Sequence, residues 1–188
     1  MAQKLDGCRV AIVATDGVEQ IELTEPLRAL RNAGAKVDLV SPKPDTIQGF
    51  NHFDKADRIP VDRPLEDARP DDYDALMLPG GVINPDLLRL SPEAIGFIQH
   101  FVQAEKPIAA ICHGPWTLID AEGVNHKRMT SWPSLKTDLR NDGAEWMDKE
   151  VVIDGCLVTS RKPDDLPVFC REMIELFAEA QAEARAAE

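Results

Sequence analysis

Apolar and polar positions along this chain alternate between two rhythms. Four short runs are apolar almost throughout: Arg9–Ala14, Lys36–Ser41, Asp74–Leu78 and Pro107–Ile111. Runs of that length, bounded by turn residues, predict strands covered on both faces. Between them apolar residues recur at a spacing of three to four, which predicts helices. One spans Glu22–Ala33 through Leu23, Leu27 and Leu30, with Pro26 tolerated early and Gly34 closing it. Others cover Pro85–Leu90, Pro92–Gln103, Trp116–Ala121 and Ser134–Asp142. A last helix begins at Asp164, its inner stripe formed by Leu166, Phe169, Met173, Leu176 and Phe177. Its polar end, from about Ala178 to Glu188, is predicted to fray. A short strand is expected near Arg128–Thr130, and Val151–Ile153 with Leu157–Ser160 reads as a hairpin turning at Asp154-Gly155. The stretch Pro42–Pro70 is rich in Pro, Asp and Gly; short strands are expected at Thr46–Phe50 and Arg58–Val61 with loops between. Strands alternating with helices predict an α/β sandwich on a largely parallel sheet, with residues 1–188 as one domain.

In such a sheet ligands bind beyond the carboxyl ends of the strands. Three informative turns fall there: Thr15–Glu19, Gly80-Gly81 and Cys112-His113. Cys112 directly follows a strand, and Gly114-Pro115 leads into a helix, the layout of a nucleophile elbow. A thiol at a helix N-terminus sits where the helix dipole favours thiolate. The backbone N–H groups of Gly80-Gly81, with that of His113, suit an oxyanion hole. The pair is not a phosphate loop, because no Lys-Ser/Thr follows it. Of the other histidines, His52 and His126 lie in polar surroundings and His100 on the helix before the elbow strand. No histidine follows His126, which excludes a triad built on a late His-x-Glu. Glu19, flanked by Val18 and Ile21, either presents a carboxyl to the thiol or, with Glu22, opens the following helix.

Charge narrows the partners. With 33 Asp and Glu against 21 Lys and Arg, the formal net charge is -12, and no basic run offsets it. Nucleic acid and anionic membranes are excluded as partners on that ground. The chain has neither a bilayer-length apolar stretch nor the layout of a signal peptide, so a cytoplasmic location is expected. Cys8, Cys112, Cys156 and Cys170 lack the close spacing of a zinc site, so neither a metal, another cofactor nor a disulfide framework is expected. Cys156 and Cys170 read as structural.

Four segments, in order, carry a resemblance. Glu19-x-x-Glu22-Leu23, Leu78-Pro79-Gly80-Gly81, Ala110-Ile-Cys112-His113-Gly114-Pro115 and Val158-Thr-Ser160-Arg161-x-Pro163-x-Asp165-Leu166 resemble the ThiJ/PfpI superfamily. Within it the chain is most similar to PfpI-type intracellular proteases and general stress proteins, over about Arg9 to Phe177. The resemblance implies a flavodoxin-like three-layer sandwich, class I glutamine amidotransferase-like, assembled as a homo-oligomer of two or more copies. It implies a cysteine-dependent stress enzyme acting on a small carbonyl compound or a peptide or protein, with no cofactor. Cys112 is then the nucleophile, Glu19 the buried acid hydrogen-bonded to it, and Gly81 with the His113 backbone the oxyanion hole. Asp86, where the pattern has Glu, is the acid that reaches the histidine of a neighbouring subunit. Trp116 stands where several relatives have Gln. The family's assigned activities are peptide hydrolysis, glyoxalase-type hydration of methylglyoxal and removal of early glycation adducts. All share thiolate attack on a carbonyl. The alternative is a non-enzymatic redox sensor or holdase chaperone in which Cys112 is oxidised to sulfinic acid.

Overall fold

The four apolar runs become neighbours in one sheet. The computed structural model describes residues 3–187, and in it β1 (Arg9–Val13), β3 (Lys36–Ser41), β7 (Ala75–Leu78) and β8 (Ile108–Ile111) lie parallel in the order β8-β7-β1-β3. Val10 sits between Val37 and Ala75, and Ile12 between Leu39 and Met77. Beyond β8 comes β12 (Leu157–Ser160), parallel, and then the antiparallel edge strand β11 (Val151–Asp154), which forms the predicted hairpin. The two-residue β6 (Arg63–Pro64) closes the other edge beside β3.

Alternate residues of these strands feed two separate cores, which is why the runs are apolar at every position. Ala11, Val13, Leu76, Leu78, Ile108 and Ala110 face one core with Phe97, Ile98, Phe101, Leu118 and Leu139. Those side chains come from α3 (Pro92–Gln103), α4 (Trp116–Asp120) and α5 (Lys136–Asn141), with α2 (Ile83–Leu88) adding Leu88. Val10, Ile12, Met77, Ala109 and Val158 face the other, against α1 (Gln20–Asn32) and α6 (Leu166–Ala187) through Leu23, Leu30, Phe169, Met173 and Phe177. The result is the three-layer flavodoxin-like sandwich. Each large side chain here contributes substantially: truncating fully buried Phe169 to Ala costs about 4 kcal/mol.

Two expectations change. The stretch expected as strands with loops between is a continuous antiparallel hairpin, β4 (Thr46–Asn51) and β5 (Asp54–Pro60), joined at His52-Phe53. It pairs with the short β2 (Val18–Glu19) in a small separate sheet. Most of β5 is exposed, so water satisfies both of its faces and no apolar alternation marks it. The end of α6, expected to fray from Ala178, continues as helix through Ala187; Gln181 Nε2 and Arg185 Nη2 donate hydrogen bonds to Asp6 O at 3.3 and 2.8 Å. The remaining short pair, β9 (Arg128–Met129) and β10 (Glu145–Trp146), is parallel. Among the described residues no helix is long and apolar enough to cross a membrane.

Candidate active site

The carboxyl ends of β1, β7 and β8 open into one cleft of about 870 Å³. Gly17, Gly81, Cys112 and His113, one or more from each predicted turn, line it together. Phe50, Trp116 and Trp132 make much of its wall apolar. A cleft of this size holds more than a three-carbon substrate.

Cys112, the first residue beyond β8, has φ 61°, in the left-handed region that branched or bulky residues avoid. Its neighbours hold it there. Cys112 N donates to Ser160 O at 3.1 Å, and Cys112 O accepts from Trp132 N at 2.8 Å. Gly114 completes the elbow, donating its N–H to Ile111 O at 2.8 Å; a Cβ on Gly114 would fall 2.4 Å from Leu78 O. The strand therefore ends in a thiol fixed at the floor of the cleft.

The acid beside that thiol is Glu22. Helix α1 buries a stripe of Glu22, Leu23, Pro26 and Leu30, and Glu22 lies wholly inside. Its Oε2 accepts the Gly80 N–H at 3.1 Å, and across that glycine it faces Cys112. Gly80 fits the slot between them, since a Cβ there would meet Glu22 Oε2 at 2.3 Å and Cys112 Cβ at 2.6 Å. Burial pushes the Glu22 carboxyl up to about 8, the Glu19 charge adding to the rise and the bonds from Cys112, Gly80 and Gly81 opposing it. At neutral pH Glu22 is accordingly a neutral acid. Its second oxygen, Oε1, is buried without a partner, which a charged carboxylate tolerates far worse than a neutral one. The Cys112 thiol is raised well above its ordinary value, by burial first and by the Glu22 charge second, while the N–H groups of Gly81 and His113 pull it down. The expected bias toward thiolate from the elbow helix is overturned, because α4 is only 5 residues long and burial outweighs its dipole. Protonation of Glu22 removes the charge that, after burial, raises the thiol most.

His113 is nearly buried at 6% exposure and does turn toward its neighbour: Nδ1 lies 3.2 Å from Cys112 Sγ. Its Nε2 lies 3.4 Å from Ser134 Oγ, and its ring stacks on Trp132 at 5.7 Å between centroids. Burial pushes His113 down to about 4, so the ring is neutral and able to accept a proton. Gly81, at φ 82°, has no room for a side chain, because a Cβ would lie 2.3 Å from Gly17 O. Its N–H and that of His113 draw the Cys112 thiol downward, which puts both beside the sulfur and within reach of an oxyanion formed next to it.

One expected residue stands elsewhere. Glu19 is the wrong acid: it ends β2 in extended conformation as the N-cap of α1, and its Oε2 accepts the His52 N–H at 3.0 Å. It borders the cleft without bonding the thiol, whereas Glu22, one turn inward, faces the core. Asp86 is exposed on α2 and is not among the residues lining the cleft of its own chain. His100 pairs with Asp71 at 2.9 Å, away from the site. Glu22 was detectable in the sequence, since it shares a helical face with Leu23, Pro26 and Leu30. Ser134 had no comparable signal; a 3₁₀ turn at Pro133–Leu135 brings it to His113 from another part of the chain.

Comparison with known proteins identifies the family. The model of the DJ-1/PfpI family matches residues 8–176. YraA of Bacillus subtilis, named as a candidate cysteine protease, is 39% identical over 168 residues, covering 89% of this chain and 97% of that protein. The deglycase PYRAB04690 of Pyrococcus abyssi is also 39% identical over 168 residues, covering 89% and 98%. The crystal structure of Drosophila melanogaster DJ-1beta superposes with a TM-score of 0.83 at 27% identity, covering 96% of this chain and 97% of that one.

Proposed function

This chain belongs to the DJ-1/PfpI family, and from that premise we propose that it is a cytoplasmic, cysteine-dependent, hydrolase-like enzyme whose Cys112 attacks a carbonyl carbon. The observation that carries the reading is the set of groups meeting at one sulfur: the Glu22 carboxyl, His113 Nδ1 and the N–H groups of Gly81 and His113.

The thiol gives its proton to His113 Nδ1, and the sulfur lone pair forms a C–S bond. The carbonyl π pair moves to oxygen, giving an alkoxide held by the N–H groups of Gly81 and His113, an arrangement worth about 3 kcal/mol to such a charge. Neutral Glu22, donating toward the sulfur, lowers the free energy of the thiolate before attack. When the adduct collapses, the alkoxide reforms the carbonyl, the leaving amine departs and takes the proton from His113, and a thioester remains. Water, losing a proton to His113, then cleaves the thioester, and the departing thiolate recovers that proton. A peptide supplies such an amine; a glycated side chain, whose amine sits on the carbinol carbon beside the carbonyl, shares only the attack on the carbonyl, and the names of relatives give both substrates standing. Methylglyoxal enters by the same first step, as a hemithioacetal.

Replacing Cys112 by Ala and by Ser tests the reading, with methylglyoxal consumption, amine release from a glycated peptide and peptide cleavage measured side by side. The activity present in the parent falls by about 10³-fold or more. A Cys112→Ala protein of full activity overturns the reading. Selective peroxide oxidation of Cys112, with no turnover on any of the three substrates, instead establishes the redox-sensor alternative.

A homo-oligomer belongs to the same proposal. Val82, Ile83, Leu87 and Leu90, all exposed, cluster on and beside α2, a patch that favours self-association.

A further inference from the structure

We infer that Ser134 of the same chain is the positioning residue for His113, holding the ring in the tautomer that leaves Nδ1 free to take the Cys112 proton. The inference rests on the reading of Cys112 and His113 given above. Both ring nitrogens have one polar neighbour each: Nδ1 has Cys112 Sγ at 3.2 Å and Nε2 has Ser134 Oγ at 3.4 Å. A neutral imidazole carries one proton. If Nδ1 is to accept, that proton must sit on Nε2, and Ser134 Oγ is placed to accept from it. Trp132 stacks on the ring, hindering the half-turn about the Cβ–Cγ bond that would put ring carbons where the two nitrogens stand.

Ser134 is placed by the nucleophile's own backbone. Trp132 N donates to Cys112 O at 2.8 Å, and Leu135 N donates to Trp132 O at 3.1 Å, so the turn carrying Ser134 hangs from the elbow. Behind it, Ser131 Oγ donates to Trp132 O at 2.9 Å and accepts from Trp146 Nε1 at 2.9 Å. Thiol, imidazole and hydroxyl are thus held as one unit within a single chain.

A hydroxyl differs in consequence from a carboxylate at that nitrogen. A carboxylate would stabilise imidazolium and lift the histidine, whereas a neutral acceptor orients the ring and leaves it uncharged. Because Nε2 bears a single hydrogen, Ser134 and an acid from a neighbouring subunit compete for it.

The test uses the full-length protein in its native assembly. ¹⁵N spectra of the His113 ring at pH 7 report the tautomer without any substrate. The parent shows Nε2 protonated, Ser134→Ala shows a mixture of both tautomers, and Ser134→Thr returns to the parent pattern. On the best substrate, Ser134→Ala lowers kcat about tenfold, part of what general acid–base catalysis contributes, with KM unchanged, and Ser134→Thr restores it. An unchanged tautomer in Ser134→Ala, or a kcat within twofold of the parent while Asp86→Asn carries the loss, overturns the inference. Inactive Cys112 variants beside an unaffected Ser134→Ala would remove this inference alone, whereas fully active Cys112 variants would remove the reading beneath it.

Discussion

Glu19 and Glu22 stand one helical turn apart and do different work. Glu19 caps α1 from the end of β2, and its carboxyl ties down the turn of the β4–β5 hairpin through the His52 N–H. Glu22 lies on the buried stripe of the same helix, held by Gly80 N–H against the Cys112 thiol. Closeness to a strand end does not select the acid that serves a nucleophile. Helical phase selects it, because only the inward face of α1 reaches the sulfur.

The contrast breaks most completely at Gly80. Gly80→Ala drives a methyl group between Glu22 and Cys112; activity is lost, and urea denaturation should show a destabilisation of about 3 kcal/mol. Glu22→Gln is the sharper instrument. It keeps the size of the group and an acceptor for Gly80 but replaces the acid O–H with a weaker amide donor toward the sulfur, so kcat/KM falls about 10²-fold in a steady-state assay. Its stability moves the opposite way. The folded carboxyl titrates near 8 against an ordinary 4.5, so the native state holds a proton that the unfolded chain releases between those values. Parent stability therefore falls as pH rises from 4.5 toward 8, and Glu22→Gln, lacking the group, gains on the parent by about 4 kcal/mol over that range. Thermal melts across that range check both sign and size.

His113 supplies a smaller effect of reversed sign. Its folded value of about 4 lies below the ordinary 6.5, so its contribution is complete above 6.5 and disappears as pH falls to 4. Removing the ring in His113→Gln flattens that acid limb by about 3 kcal/mol, measured by chemical denaturation at both ends of the range. Glu19→Gln comes last. Turnover stays within about twofold, while the His52 amide exchanges with solvent several-fold faster, seen by hydrogen exchange. If Glu19→Gln were inactive and Glu22→Gln unaffected, the two roles would have to be exchanged.

The layers and the elbow were legible because their signals are local. Continuous apolar runs marked β1, β3, β7 and β8, and Cys112-His113-Gly114-Pro115 marked the turn. Gly81 was legible for a similar reason, since a glycine pair after a buried strand implies a close backbone approach. The acid was misread because Glu19 adjoins the strand while the phase of α1, which buries Glu22, was read only through its leucines. The β4–β5 hairpin stayed hidden because Asp54, Lys55, Asp57 and Arg58 face water and leave no alternation. Ser134 was out of reach altogether, since only the bond from Trp132 N to Cys112 O brings its turn to the histidine. The thiol's upward shift also belongs to the folded state, as it follows from how deeply three layers bury one strand end.

The left-handed torsion at Cys112 carries one more consequence. Among all twenty amino acids, glycine alone would occupy φ 61° without penalty, so a Cys112→Gly chain should melt higher than Cys112→Ala by about 1 kcal/mol. Both variants are inert and both delete a buried side chain, so the strain at this torsion is a cost the molecule bears to hold a reactive atom where the strand ends.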